Sequence, residues 1–212
     1  MRGGCHGGPG WRHRWGLHEI RYTGMPLHMP YIAAALHIAA AVAALGSAYI
    51  VLRGYRVARD RRMLWSGAGL LLVAVASLLE AALYVGLLDS PAIVAADGFY
   101  VLGYALILFP ENIVGGEGAA AITLLGGMHF AGSIAAGVLA LMLSISTPVS
   151  VGAAFLVLAV SHFLDSVIAF LDIYNPALTI AAALLRITGL NILLIALLLP
   201  AARVGRGERE EA

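Results

Sequence analysis

Residues 71–92 read LLVAVASLLEAALYVGLLDSPA and residues 156–177 read LVLAVSHFLDSVIAFLDIYNPA, one pattern written twice, eighty-five positions apart. Leu71 stands opposite Leu156, Ala74 opposite Ala159, Val75 opposite Val160, Leu79 opposite Leu164 and Pro91 opposite Pro176. Glu80 falls opposite Asp165, so each copy carries a carboxylate inside an apolar run. Such a run is the signature of a membrane-crossing helix, which needs about 20 mainly apolar residues.

The repeat extends backwards. At an offset of ninety-two positions, His37 and the seven residues after it align with His129 and its followers, the longer arginine linker of the first half absorbing the difference. Gly103 lies near the counterpart of Gly189. The chain therefore reads as two three-helix repeats, residues 30–110 and 122–200, joined by a glycine-rich connection at 111–121. A segment at 1–29, disordered or interfacial, precedes them, and a charged tail at 201–212 follows. Three spans per repeat, with a short loop between repeats, predict that the second half enters the bilayer from the opposite side, giving an inverted topology. The spans are expected at 30–53, 64–87, 91–110, 122–145, 149–172 and 176–200, with Pro30, Pro91 and Pro176 at helix starts and Pro110 and Pro200 at helix ends.

Composition sets the solvent and removes several chemistries. Of 212 residues, 61% are hydrophobic and 12% charged, where a soluble domain carries about 25% charged residues. The expected class is an all-α integral protein of the cytoplasmic membrane, multi-pass, with lipid as its first partner and no signal peptide. A net charge of +1 offers no field for nucleic acid. The sequence contains no lysine, which excludes a retinal or pyridoxal-phosphate Schiff base and lysine nucleophiles. Cys5 is the one cysteine, which excludes an intrachain disulfide and a thiolate metal cluster. His6, His13 and His18 precede Met25 and Met29, either of which could be the first residue, and are set aside.

The remaining polar groups inside the spans carry any chemistry. Counted from the helix ends at 1.5 Å per residue, His37, Glu80 and Asp97 lie about 10 Å below one face. In the inverted arrangement His129 and Asp165 lie about 10 Å below the other face, and His162 and Arg186 about 15 Å below it. Two stacked polar clusters are expected. A charge at such depth costs at least about 2.5 kcal/mol on insertion scales, so these groups should face the bundle interior and pair. One reading is structural: His37 with Glu80, and Asp165 with Arg186, tie helices together. Tyr84, Tyr100 and Tyr104 either line a cavity or are ordinary helix-facing aromatics, and the second reading is preferred.

Residues 52–62, LRGYRVARDRR, with Gly69-Leu-Leu-Leu and then Leu79-Glu-Ala-Ala-Leu-Tyr, resemble a stretch of uncharacterised archaeal multi-pass membrane proteins. The resemblance covers the first three spans and implies a membrane protein of thermophilic or halophilic archaeal type, and no activity.

Three functions fit these features. The first is a small inverted-repeat carrier or channel for a proton, metal cation or small solute, in which Glu80 and Asp165 bind, His37 and His129 relay or ligate, and Arg186 balances charge. The second is an intramembrane metalloprotein, redox subunit or lipid-modifying enzyme, holding a transition metal with His37, Glu80, His129, His162 and Asp165; His162 and Asp165 share a helix face at i, i+3. Haem fits less well, because the inverted arrangement separates His37 from His129 by about 15 Å along the membrane normal. The third is a subunit, sensor or assembly protein without chemistry of its own. A homodimer would supply the enclosed pathway for which six short helices leave little room. Arginines at 53, 56, 59, 61 and 62 favour a cytoplasmic linker after the first span.

Overall fold

A computed structural model of the protein describes residues 28–89, 91–110, 129–171 and 175–210, with side chains described up to Leu199. The expected N-terminal segment, the glycine-rich connection and the first residues of the fourth expected span lie outside the described residues, apart from His28 and Met29. Six helices are present among the described residues: α1 Met29–Ala58, α2 Arg61–Tyr84, α3 Pro91–Leu108, α4 His129–Ser146, α5 Val149–Leu171 and α6 Pro176–Glu210. All six are long and apolar enough to cross a membrane. The protein is an all-α, multi-pass membrane protein.

Local sequence explains the ends. α1 starts with Pro30 in its first turn, where a missing N–H is harmless. It runs past the expected end at residue 53, through the arginine linker, and stops where Arg59 turns left-handed at φ 56°. Asp60 then caps α2, its carboxylate accepting from the Arg62 N–H at 2.9 Å. α2 stops at Gly86, whose φ of 74° suits only glycine at low cost. Asn175 opens α6 by accepting from the Ala177 N–H at 2.9 Å. Pro200 was expected to end α6, yet the helix continues to Glu210. The alanine, arginine and glutamate residues beyond Pro200 favour helix enough to carry it past one lost hydrogen bond.

The helices close a ring in chain order, each packed on its neighbours, with α6 returning to α1. Large apolar side chains such as Val42, Val149 and Phe170 point outwards, while Ala40, Ala44, Ala48, Ala76, Ala136 and Ala154 are fully or almost fully buried. Lipid takes the bulky groups, and small residues let the helices approach closely.

Helix direction corrects one expectation. A Cβ on Gly46 of α1 would lie 3.1 Å from Leu194 of α6, and nine residues earlier His37 shares Glu80 with Arg186, eight residues before Leu194. α1 and α6 therefore run parallel. α5 is antiparallel to α6, with Ser161 bonded to the Ala182 carbonyl and Gly189 packed on Leu158 and Ala154. α4 is antiparallel to α5, with Gly137 against Phe163 and Gly152 against Ser144. The second triplet thus runs in the same sense as the first, and the inverted topology does not hold. Inversion required the chain to re-enter from the face where α3 ends, whereas His129 at the start of α4 meets Asp97 near the start of α3.

Packing repeats at the same offsets as the sequence. A Cβ on Gly67 would meet the Leu52 side chain at 2.5 Å, and a Cβ on Gly152, eighty-five positions on, would meet the carbonyl oxygen of Ser144, ninety-two positions after Leu52, at 2.5 Å. In α2 and α3 a Cβ on Gly103 would lie 2.7 Å from the Gly69 oxygen; in α5 and α6 one on Gly189 would lie 3.0 Å from the Ala154 oxygen. These matched crossings fit repeats related by an axis along the membrane normal. The face where α1 begins is called the N face below, and the face where it ends, beside Arg53, Arg56, Arg59, Arg61 and Arg62, the arginine face.

Candidate functional site

Because the triplets run in one sense, the polar residues of both halves meet at one level instead of in two stacks. Arg186 of α6 sits at the centre, 2% exposed. Its Nη1 donates to Glu80 Oε2 of α2, and its Nη2 donates to Asp165 Oδ2 of α5. Nη1 also donates to the Tyr100 hydroxyl of α3 at 3.2 Å, and the guanidinium lies 4.7 Å above the Tyr100 ring. The Tyr100 hydroxyl in turn donates to Glu80 Oε2 at 2.8 Å and lies 2.9 Å from Ser77 Oγ. Four helices are joined through one guanidinium.

His37 of α1 brings Nδ1 to 3.0 Å from Glu80 Oε2, at an angle that makes no hydrogen bond, and its ring stacks on Tyr84 at 5.3 Å. Asp97 of α3 forms a separate link to α4: Oδ2 lies 2.5 Å from His129 Nδ1, and Oδ1 accepts from Ser133 at 3.1 Å. Gly132 makes that approach possible, since a Cβ there would lie 2.6 Å from the Asp97 Cβ. His162 of α5 joins neither group. Its Nε2 is 3.1 Å from the Tyr104 hydroxyl, its ring edge meets Tyr100 at 4.8 Å, and its buried Nδ1 has no partner.

A cavity of about 60 Å³ reaches this cluster. Its walls include Leu83 and Tyr84 at the end of α2, Ile93 at the start of α3 and Thr179 at the start of α6, all towards the N face. Its inner end is formed by His37, Glu80, Asp165 and Arg186, with His129 at the side. Asp165 and His129 are the most accessible polar members, their side chains 21% and 30% exposed, against 9% for Glu80. Towards the arginine face Tyr104, Phe155, Leu158, Leu190 and Val73 fill the bundle, all nearly fully buried. Among the described residues, polar access is from the N face.

The expected pairs His37 with Glu80 and Asp165 with Arg186 are present, and the two pairs are fused through Arg186. His37 and His129 both line the cavity, so the expected 15 Å separation along the normal is absent. A 60 Å³ space has no room for a porphyrin. His162 and Asp165, offered as an i, i+3 metal pair, turn to Tyr104 and Arg186 instead. No group of three His, Cys, Asp or Glu side chains able to hold a metal occurs among the described residues, and the place between Glu80 and Asp165 is taken by a guanidinium, which repels cations.

Tyr100, Ser77, Tyr104 and Ser133 belong to the network; the two tyrosines read from sequence as ordinary aromatics, and the two serines carry no mark of their own there. One signal was available: Ser77 and His162 occupy matching positions, each three residues before its carboxylate and on the same helix face. No family model, curated protein or solved structure matches the chain.

Proposed function

We propose that the protein is a small proton-linked carrier whose binding site is the Glu80–Arg186–Asp165 cluster, reached from the N face. The observation that carries this reading is the cavity that ends on one guanidinium held by two carboxylates, above a buried floor of Tyr104, Phe155 and Leu158. Transporter sites sit near the bilayer midplane at the interface between repeats. Arg186 lies ten residues into α6, about 15 Å deep, with Glu80 on one triplet and Asp165 on the other.

Charge counting supports proton linkage. Two carboxylates face one guanidinium, and Asp97 with a protonated His129 is balanced. One negative charge is left over in a low-dielectric interior, where unpaired charge is costly. One proton on either carboxylate neutralises the cluster. Sealing the cavity is least costly when the cluster gains no further charge, so a bound solute is accompanied by a proton, and hydration lets that proton leave. Two packed triplets that rock about Arg186 would then expose the cluster to each face in turn. The ring of six helices encloses the site without a second copy.

The arginine face is assigned to the cytoplasm of a cell membrane. Its linker carries five arginines, and positions 203, 206 and 209, in the last turns of α6, lie towards the same side.

The test is proton uptake by proteoliposomes containing a pH-sensitive dye, under an imposed potential and with candidate solutes supplied. Wild type should acidify the lumen and Glu80→Gln should not. Equal traces from wild type and variant would falsify the carrier reading and leave a structural role for the cluster.

A further inference from the structure

The guanidinium of Arg186 is incompletely used. Nη1 is satisfied by Glu80 and Tyr100, and Nη2 has Asp165, but Nε is buried with no partner. A buried N–H without an acceptor is costly. Arg186 lines the cavity, and Asp165 is the more exposed of its two carboxylates. The Nε and Nη2 hydrogens of a guanidinium form a fork that fits the two oxygens of one carboxylate or similar oxyanion. Here half of that fork is empty and the other half is held by an accessible aspartate.

Charge sorts the ligands. A cation arriving from the N face meets Asp165 and His129, but its place between the carboxylates is already occupied by Arg186. An anion has a ready partner once Asp165 lets go of Nη2. Glu80 does not compete in the same way, because Tyr100 and Nη1 hold it away from the Nε and Nη2 edge. Size narrows the class further. A water needs roughly 10–15 Å³ of such space, so the cavity of about 60 Å³ admits a few waters or one very small solute.

We propose that the solute is a small oxyanion, of the size of formate or acetate, which binds the Nε and Nη2 edge of Arg186 in place of Asp165 while Asp165 takes up a proton. This inference rests on the carrier reading for transport, though not for binding. Anion and proton enter together, so the load is electroneutral and the buried charge is unchanged.

The experiment is calorimetric titration of the full-length protein in detergent with sodium formate, sodium acetate and methylammonium chloride at constant ionic strength. Formate or acetate should bind and methylammonium should not. Asp165→Asn keeps the side-chain shape and removes the competing charge, so it should bind the anion at least about tenfold more tightly, the equivalent of one charged hydrogen bond released. Arg186→Gln should abolish binding; should that variant fail to fold, the Asp165→Asn result stands alone. Binding of methylammonium, absence of anion binding to wild type and Asp165→Asn alike, or weaker binding by Asp165→Asn overturns the proposal. Anion binding without proton-linked flux would overturn the carrier reading and leave the anion site, whereas flux without anion binding would do the reverse.

Discussion

Glu80 and Asp165, repeat-related positions on different triplets, each hold one end of the same Arg186 guanidinium. Their environments differ. Glu80 is also met by Tyr100 and His37 and is buried, whereas Asp165 opens to the cavity. A pseudo-symmetric scaffold thus produces an asymmetric site, with one carboxylate tied from several sides and one held by the guanidinium and open to the cavity.

That asymmetry predicts unequal stability effects. Removing one member of a buried charge network costs about 3–5 kcal/mol, and Glu80→Gln should fall in that range. Asp165→Asn should cost less than half as much, because the cavity hydrates the position. Thermal unfolding of both variants in detergent checks this, and equal losses would contradict the assigned roles.

Parallel triplets predict which helix ends share a face. In a background of Cys5→Ser, cysteines introduced by Asp60→Cys and Glu210→Cys should react with an impermeant thiol reagent from the same side of the membrane. His28→Cys should react from the other. An inverted arrangement would place His28 with Glu210.

The matched helix crossings predict where bulk is forbidden. Gly103→Val would drive side-chain atoms into the Gly69 carbonyl and Val73 and should destabilise by about 1–3 kcal/mol. Gly98→Val, on the same helix but with open space around it, should be close to neutral. Comparable losses in unfolding temperature would mean that α2 and α3 do not cross at Gly69 and Gly103.

Asp97 and His129 make the polar link between α3 and α4 and should behave as one unit. A double-mutant cycle with Asp97→Asn and His129→Gln should give a coupling of about 0.5–3 kcal/mol, the usual range for contacting polar pairs. Additive losses would show that the two side chains act independently.

Much of this was visible in the sequence, and the failures have physical causes. Apolar run length gives the six spans directly. Burial cost brings His37 to Glu80 and Asp165 to Arg186 without coordinates. Direction was misread because it depends on where the chain goes between Leu108 and His129, and the glycine-rich residues 111–121 read as a short loop on one face. That single step put His129, His162, Asp165 and Arg186 at the wrong depth and divided one cluster into two. Tyr100 was passed over because only its hydroxyl is polar, and a tyrosine in an apolar run looks the same whether it faces lipid, packs in a core or holds a carboxylate.

One-sided access to a carrier site is the central claim, and Thr179 tests it most directly. Thr179 lines the cavity about 10 Å outward of Arg186 along α6. In proteoliposomes of Cys5→Ser, Thr179→Cys, a small impermeant thiol reagent should label the cysteine from the N face only, and labelling should stop solute-driven proton uptake. Labelling from the arginine face alone, or full labelling with undiminished uptake, would contradict the account.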